Sequence, residues 1–284
     1  MKKKRLLIPG GLLAVLVGAF GILWLVAGRQ VEGAYFDSDG VQIHYTEQGS
    51  GAPVILVHGY CANGDLNWRL PGIVSRLEKN FRVITMDVRG FGLSGKPHDR
   101  SKYGLELVND VKRLMDHLKL EKAHLAGYSM GGFITYKFMA MYPERLLSAM
   151  PCGAAWMEPG NELCGLAVTI YEGLQGRGEM ASWSKSIERM AVDSINDMEC
   201  LEHVAYTFDQ LALTEAEVRA MKTPMMAVRA EHEELVNGGR DLKDFLPGYQ
   251  LALIPKGLHS TVIFYSEFAD ALEKFLLSQP KPAA

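Results

Sequence analysis

The chain has 284 residues, 48% of them hydrophobic, and a formal charge of -3 from 30 Lys and Arg against 33 Asp and Glu. That composition suits one sizeable buried core and excludes a disordered chain, and the near balance of charge excludes a basic nucleic-acid-binding surface. The one strongly basic run, "MKKKR", precedes an uncharged apolar stretch over residues 6–28. Roughly 17–25 such residues cross a bilayer, whereas the apolar part of a cleaved signal is only about 7–15 long. The expectation is therefore an N-terminal segment, residues 1–28, that anchors the protein in the cell membrane as a single pass. Lys2, Lys3, Lys4 and Arg5 stay inside and residues 29–284 are exported, to the periplasm in a bacterium. Cleavage after "VAG" and secretion is the alternative. The four cysteines, Cys61, Cys152, Cys164 and Cys200, show no metal-binding spacing. They are read either as buried thiols or as disulfides of undetermined pairing.

From residue 34 the pattern alternates between strand-like and helix-like segments, which predicts an α/β fold with a mainly parallel sheet. "AYFDSDGVQIHYTEQG" reads as an antiparallel hairpin turning at Asp39-Gly40. "APVILVHG", "FRVITMDVRG", "KAHLAGYS" and "LLSAMPCG" are short apolar runs of the kind that form strands covered on both faces. "GLELVNDVKRLMDHLKL" repeats Leu107, Val111, Leu114, Met115 and Leu118 at helical spacing, and "GFITYKFMAMYPERL" is helical until Pro143. Between about residues 153 and 221 the strand signal disappears, which predicts an inserted helical lid. Alternation resumes with strand-like "TPMMAVRA", helix-like "GGRDLKDFL", strand-like "YQLALIPKG" and a closing helix over "STVIFYSEFADALEKFLLS".

The strongest chemical signal is "AGYSMGG", a match to G-x-S-x-G placed where a strand ends and a helix begins. Such a turn exposes Ser129 in a strained pose, and Gly127 and Gly131 leave room for strand and helix to close on it. A serine hydroxyl needs a base within hydrogen-bond reach. Of the eight histidines, His259 in "IPKGLHST" follows the last expected strand, and parallel strands deliver their C-terminal ends to one edge. His44, His58, His98, His117, His124, His203 and His232 are read as packing or surface residues. "RGFGLSG" also fits G-x-G-x-x-G over residues 90–95, but "KPHDR" follows where a helix would have to start, so a dinucleotide site is rejected.

Taken together, "VHGY", "DVRGFGLSGKP", "GYSMGG", "MYPERL" and "KGLHS" resemble the α/β-hydrolase fold family, and the likeness runs from about residue 34 to 278. The resemblance implies an oxyanion hole built from the backbone amides of Tyr60 and Met130. It also implies an acid after the strand that follows the lid. Laying the family's acid pattern on "PMMAVRAEHEELV" puts Pro224 at its proline, Ala230 at its glycine, Glu233 at its aspartate and Val236 at its valine. Glu233 is thus the expected acid, with Glu231 and Glu234 as rivals. Asp87 is read as a loop organiser.

The expected protein is a serine hydrolase of carboxylic esters, working through Ser129, His259 and Glu233 by an acyl-enzyme. Its partner is a small ester or lipid-like substrate, with Trp156, Met157 and Trp183 forming an apolar acyl pocket. No nucleic acid, metal or cofactor is expected. Family members that cleave epoxides or haloalkanes resemble this architecture but carry aspartate at the elbow, and Ser129 argues against them. Carbon–carbon bond hydrolases, thioesterases and perhydrolases keep a serine there and stay open. So does a non-catalytic protein that holds a lipid-like ligand.

Overall fold

Short apolar strands between amphipathic helices can bury themselves only as a sheet covered on both sides. The computed structural model describes residues 30–178, 192–233, 235, 236 and 242–280. It contains an eight-stranded sheet in the order β1-β2-β4-β3-β5-β6-β7-β8. The strands are β1 (Ala34–Ser38), β2 (Val41–Gln48), β3 (Ala52–Val57), β4 (Phe81–Met86), β5 (Ala123–Tyr128), β6 (Leu146–Cys152), β7 (Met225–His232) and β8 (Tyr249–Leu258). The first hairpin pairs antiparallel, β2 joins β4 antiparallel, and every pairing from β4 to β8 is parallel. Each strand expected from the sequence is present.

One face of the sheet is covered by α2 (Glu106–His117) and α3 (Met130–Met141), the other by α1 (Ile73–Leu77) and α7 (Ser266–Ser278). The expected stripe on α2 is the buried one: Leu107, Val111, Leu114 and Met115 are at most 1% exposed. Each such side chain contributes about 1.5–3 kcal/mol. Between β6 and β7 the described residues form α4 (Leu166–Leu174), α5 (Met198–Ala205) and α6 (Glu215–Ala220), with no strand among them.

The structure departs from the sequence expectation at several places. The closing helix starts at Ser266 rather than near residue 260, because Val262–Phe264 forms a separate 3-10 turn and Tyr265 is extended. That turn packs Val262 over Gly257, where an added Cβ would lie 2.8 Å from the valine methyl. Within "GGRDLKDFL" only Leu242–Asp244 is helical among the described residues. The stretch between β3 and β4, without a clear pattern in sequence, holds a helical turn at Asp65–Arg69 and α1.

The single-pass membrane placement is corrected. Among the described residues no helix is long and apolar enough to cross a membrane. The apolar run over residues 6–28 lies outside the described residues, so the anchor has no structural support and the placement is withdrawn.

Candidate active site

After β3 the chain crosses to β4 on one side and returns to β5 on the other, so strand order reverses between β3 and β5. In an open parallel sheet, ligands bind in the crevice beyond the C-terminal ends of the strands at such a point. The loop after β3 begins with His58 and Gly59, and β5 is followed by Ser129. The two touch: a Cβ added at Gly59 would lie 3.1 Å from Ser129 Cβ.

Ser129 has φ 54° and ψ -115°, between the last residue of β5 and the first of α3. This left-handed backbone is disfavoured for a serine by about 1–3 kcal/mol and survives only where its surroundings hold it. They do so on three sides. The Ser129 N–H donates to Cys152 O at 2.8 Å, and Ser129 O accepts from Gly132 N at 2.7 Å and Phe133 N at 3.1 Å. Close approach of strand and helix then explains two glycines: an added Cβ would be 1.9 Å from Gly131 O at Gly127, and 2.2 Å from Val57 O at Gly131. Both obstacles are main-chain atoms that cannot swing away. Gly131→Ala is therefore expected to destabilise the fold by about 3 kcal/mol or more, checked by the urea unfolding midpoint.

His259 and Glu233 reach the same rim through the register of the last two strands. His232 of β7 pairs with Leu258 of β8 after an irregularity between Ala230 and His232, so the next residue of each strand leaves the sheet beside the other. Those residues are Glu233 and His259. Glu233 Oε1 lies 2.8 Å from His259 Nδ1, and His259 Nε2 lies 3.0 Å from Ser129 Oγ. Glu233 is 5% exposed and His259 6%. A carboxylate at Nδ1 places the ring proton there and leaves Nε2 with its lone pair toward the serine. Tyr128, the residue before the serine, donates its hydroxyl to the main-chain oxygen of His259. Nothing in the sequence singled it out. Glu231 is exposed, and its carboxylate accepts from Lys256 N at 3.1 Å instead. Glu234 lies outside the described residues.

Met130 opens α3, and the first amides of a helix have no acceptor within it and sit at its positive end. The loop carrying Tyr60 is held from below. His58 is fully buried, its Nε2 accepts from Val88 N at 2.9 Å, and so its Nδ1 carries the proton and donates to Gly59 O at 2.8 Å. Burial pushes the His58 pKa down, which keeps that ring neutral. Gly59 N donates to Asn67 Oδ1 at 2.7 Å, and Gly64 N to Asp87 Oδ1 at 2.9 Å. Asp87 also accepts from Leu93 N and meets His44 Nδ1 at 3.0 Å, which is loop organisation. Asn67 escaped the sequence reading because its stretch shows no periodicity.

The remaining expected residues are placed elsewhere. Trp156 is completely buried, donates its indole N–H to Leu213 O at 2.7 Å and packs edge-on against Phe245. Met157 is 2% exposed within the same cluster. Both side chains are committed to packing, so neither is carried into a substrate pocket, and Trp183 lies outside the described residues. His124 meets Ser148 Oγ at 2.8 Å, with burial lowering its pKa to about 4. His203 is buried, as packing, with its Nε2 3.6 Å from Glu199 Oε1 and no hydrogen bond to either ring nitrogen. All four cysteines are free thiols.

Among the described residues one group has metal-ligand chemistry: His98, Asp197 and Cys200, with donor atoms within 4.8 Å of one another. Its atoms already have other work. Asp197 caps α5 through Glu199 N and Cys200 N and takes His98 Nε2 at 3.0 Å, and burial pushes the Cys200 thiol up to about 11.

Comparison with known proteins bears on the family and the fold. The model of the alpha/beta hydrolase fold matches residues 52–177. The dihydrolipoyllysine-residue acetyltransferase component of the acetoin cleaving system of Pseudomonas putida is 30% identical over 200 residues, covering 67% of this chain and 52% of that protein. The 2-hydroxymuconate semialdehyde hydrolase of Pseudomonas sp. strain CF600 is 26% identical over 282 residues, covering 88% and 93%. Among solved structures, a meta-cleavage product hydrolase from Pseudomonas fluorescens IP01 superposes with a TM-score of 0.68 at 23% identity, covering 87% and 98%, which speaks for the fold alone. The chain spans about half or less of the length of the first curated relatives it matches. With a serine elbow at the reversal point of an eight-stranded sheet and these similarities along the same segments, the chain belongs to the α/β-hydrolase fold family.

Proposed function

We propose that this protein is a hydrolase that cleaves carboxylic esters, with Ser129 as nucleophile, His259 as general base and acid, and Glu233 as the acid that orients it. The observation that carries the reading is the unbroken line from Glu233 Oε1 through His259 to Ser129 Oγ, at 2.8 and 3.0 Å. Ser129 Oγ adds to the acyl carbonyl and its proton passes to His259 Nε2. Negative charge gathers on the carbonyl oxygen, where the Tyr60 and Met130 amides receive it; such a donor is worth about 2.7–4 kcal/mol. Collapse breaks the ester C–O bond, and the alkoxide leaves with the proton held by His259. Water then gives a proton back to His259 as it attacks the acyl-enzyme. The carboxylic acid departs and Ser129 regains its hydrogen. The helical insertion between β6 and β7 serves as the lid over this crevice.

A second reading is favoured by the relatives' names, a semialdehyde hydrolase and a meta-cleavage product hydrolase. It is hydrolysis of a carbon–carbon bond next to a ketone. That reaction must also protonate the carbon that leaves. Ester cleavage needs only the one proton His259 carries, which is why it is placed first.

One measurement tests the nucleophile and a second separates the readings. A fluorophosphonate probe is expected to label the wild-type chain and not Ser129→Ala. An unlabelled wild type would remove the nucleophile assignment. Turnover of p-nitrophenyl esters and acyl thioesters of graded chain length, set against 2-hydroxymuconate semialdehyde, then assigns the bond. Faster cleavage of the semialdehyde than of every ester favours the second reading.

A further inference from the structure

The loop that carries the Tyr60 amide is bound to the helical insertion as well as to the sheet. Tyr60 donates its hydroxyl to the main-chain oxygen of Leu201, in α5, at 2.8 Å across 141 residues of sequence. Its ring meets Phe91 edge-on with centroids 6.0 Å apart, so the side chain has a fixed direction. Burial holds the phenol pKa well above its usual value, which keeps the hydroxyl a donor. The next residue is tied to the same segment: Asn196 Nδ2 donates to Cys61 O at 3.3 Å and to Val192 O at 3.0 Å. Cys61 has φ 62°, a left-handed backbone that a non-glycine residue adopts only when held.

Other contacts between α5 and the body of the protein bypass this loop. Arg100 pairs with Glu202 at 3.0 Å, and His98 with Asp197 and Glu199 at 3.0 and 3.2 Å, all from the segment after β4. The insertion thus has a set of docking contacts that do not touch the loop, and a separate pair that ends on residues 60 and 61.

We propose that Tyr60 is a positioning residue whose hydroxyl, held by Leu201 O in α5 and supported by the Asn196 tie to the Cys61 carbonyl, fixes the oxyanion loop and so aims the Tyr60 amide at the reacting oxygen. This deepens the serine-hydrolase reading and rests on it. From the sheet side the loop is fixed at Gly59 by Asn67 and at Gly64 by Asp87. Between those points the ties to Leu201 and Asn196 set the orientation of the peptide plane at residue 60. Losing the Tyr60 hydroxyl therefore misaims that amide while the insertion stays held by its other contacts.

The test uses the full chain with p-nitrophenyl acetate as substrate and phenylboronic acid as probe. The serine oxygen adds to boron, its proton passes to His259, and the resulting anionic boronate places an oxygen where the oxyanion sits. Tyr60→Phe removes the hydroxyl and keeps the ring. It is expected to label fully with fluorophosphonate and to lose about tenfold in kcat with KM little changed, and its boronate Ki should rise by about the same factor. Arg100→Ala, which weakens docking elsewhere, is expected to keep kcat and Ki. Unchanged kcat and Ki in Tyr60→Phe overturn the proposal, as do equal losses in Arg100→Ala, which would make Tyr60 one docking contact among several. A labelled wild type with an indifferent Tyr60→Phe rejects this inference alone, whereas an unlabelled wild type rejects the underlying hydrolase mechanism with it.

Discussion

Glu233→Gln is expected to lower kcat by about 10,000-fold while the melting temperature stays near that of the wild type. The side chain keeps its shape, so packing around a residue 5% exposed is preserved. What changes is the sense of one hydrogen bond. Glu233 Oε1 now accepts from His259 Nδ1 at 2.8 Å, whereas a glutamine amide can offer a donor there and move the ring proton to Nε2. With that proton facing Ser129 Oγ, the imidazole cannot take the serine's proton. The matching control is Glu231→Gln, whose exposed carboxylate serves only Lys256 N and whose loss should leave kcat near wild type. Steady-state kinetics with thermal unfolding on both variants decides the matter. Equal activity in the two would place the acid elsewhere.

Asp110→Ala is expected to cost about 3–5 kcal/mol of stability, because it removes the buried partner of the Arg89 guanidinium and leaves it only the more distant, partly exposed Glu106 carboxylate at 3.7 Å. Arg89 and Asp110 are both completely buried. Asp110 takes Arg89 Nε at 2.7 Å on one oxygen and Nη2 and the Ser38 hydroxyl on the other, and Arg89 Nη1 donates to Lys102 O. Burial pushes the Asp110 carboxyl up while Arg89 pulls it down, so the pair exists by mutual compensation. Replacing both residues, as Arg89→Met with Asp110→Leu, should recover most of the loss, since a packed apolar pair has no desolvation penalty. Urea unfolding of the single and double variants gives the comparison. A loss below about 1 kcal/mol for Asp110→Ala, the size of an exposed pair, would contradict this account. The loss also bears on the site, since Arg89 lies two residues beyond Asp87, which holds Gly64 at the end of the loop that carries Tyr60.

The strands were legible along the chain, β3 to β7 as short apolar runs that only a covered sheet can bury, β1 and β2 as a hairpin turning at Asp39-Gly40 and β8 from the resumed alternation, and the elbow was legible because its glycines stand where a Cβ would strike main chain. His259 could be placed from strand order alone, since parallel strands end on one rim. The membrane expectation came from the length of one apolar run, a local property that says nothing of what the run packs against, and no helix among the described residues supports it. Trp156 was taken for pocket lining on residue type, but a large aromatic fits a core as well as a ligand site, and its contacts make it core. The family pattern named Glu233 along the chain, and folding gives the physical difference between it and its rival Glu231. An irregularity between Ala230 and His232 resets which residues face which side, so Glu231 turns to Lys256 and Glu233 to His259. The hold of Asn67, Asp87 and α5 on the loop that carries Tyr60 was invisible in the chain because it is tertiary. Those contacts join segments far apart in sequence, and no local spacing encodes a partner that only folding brings within reach.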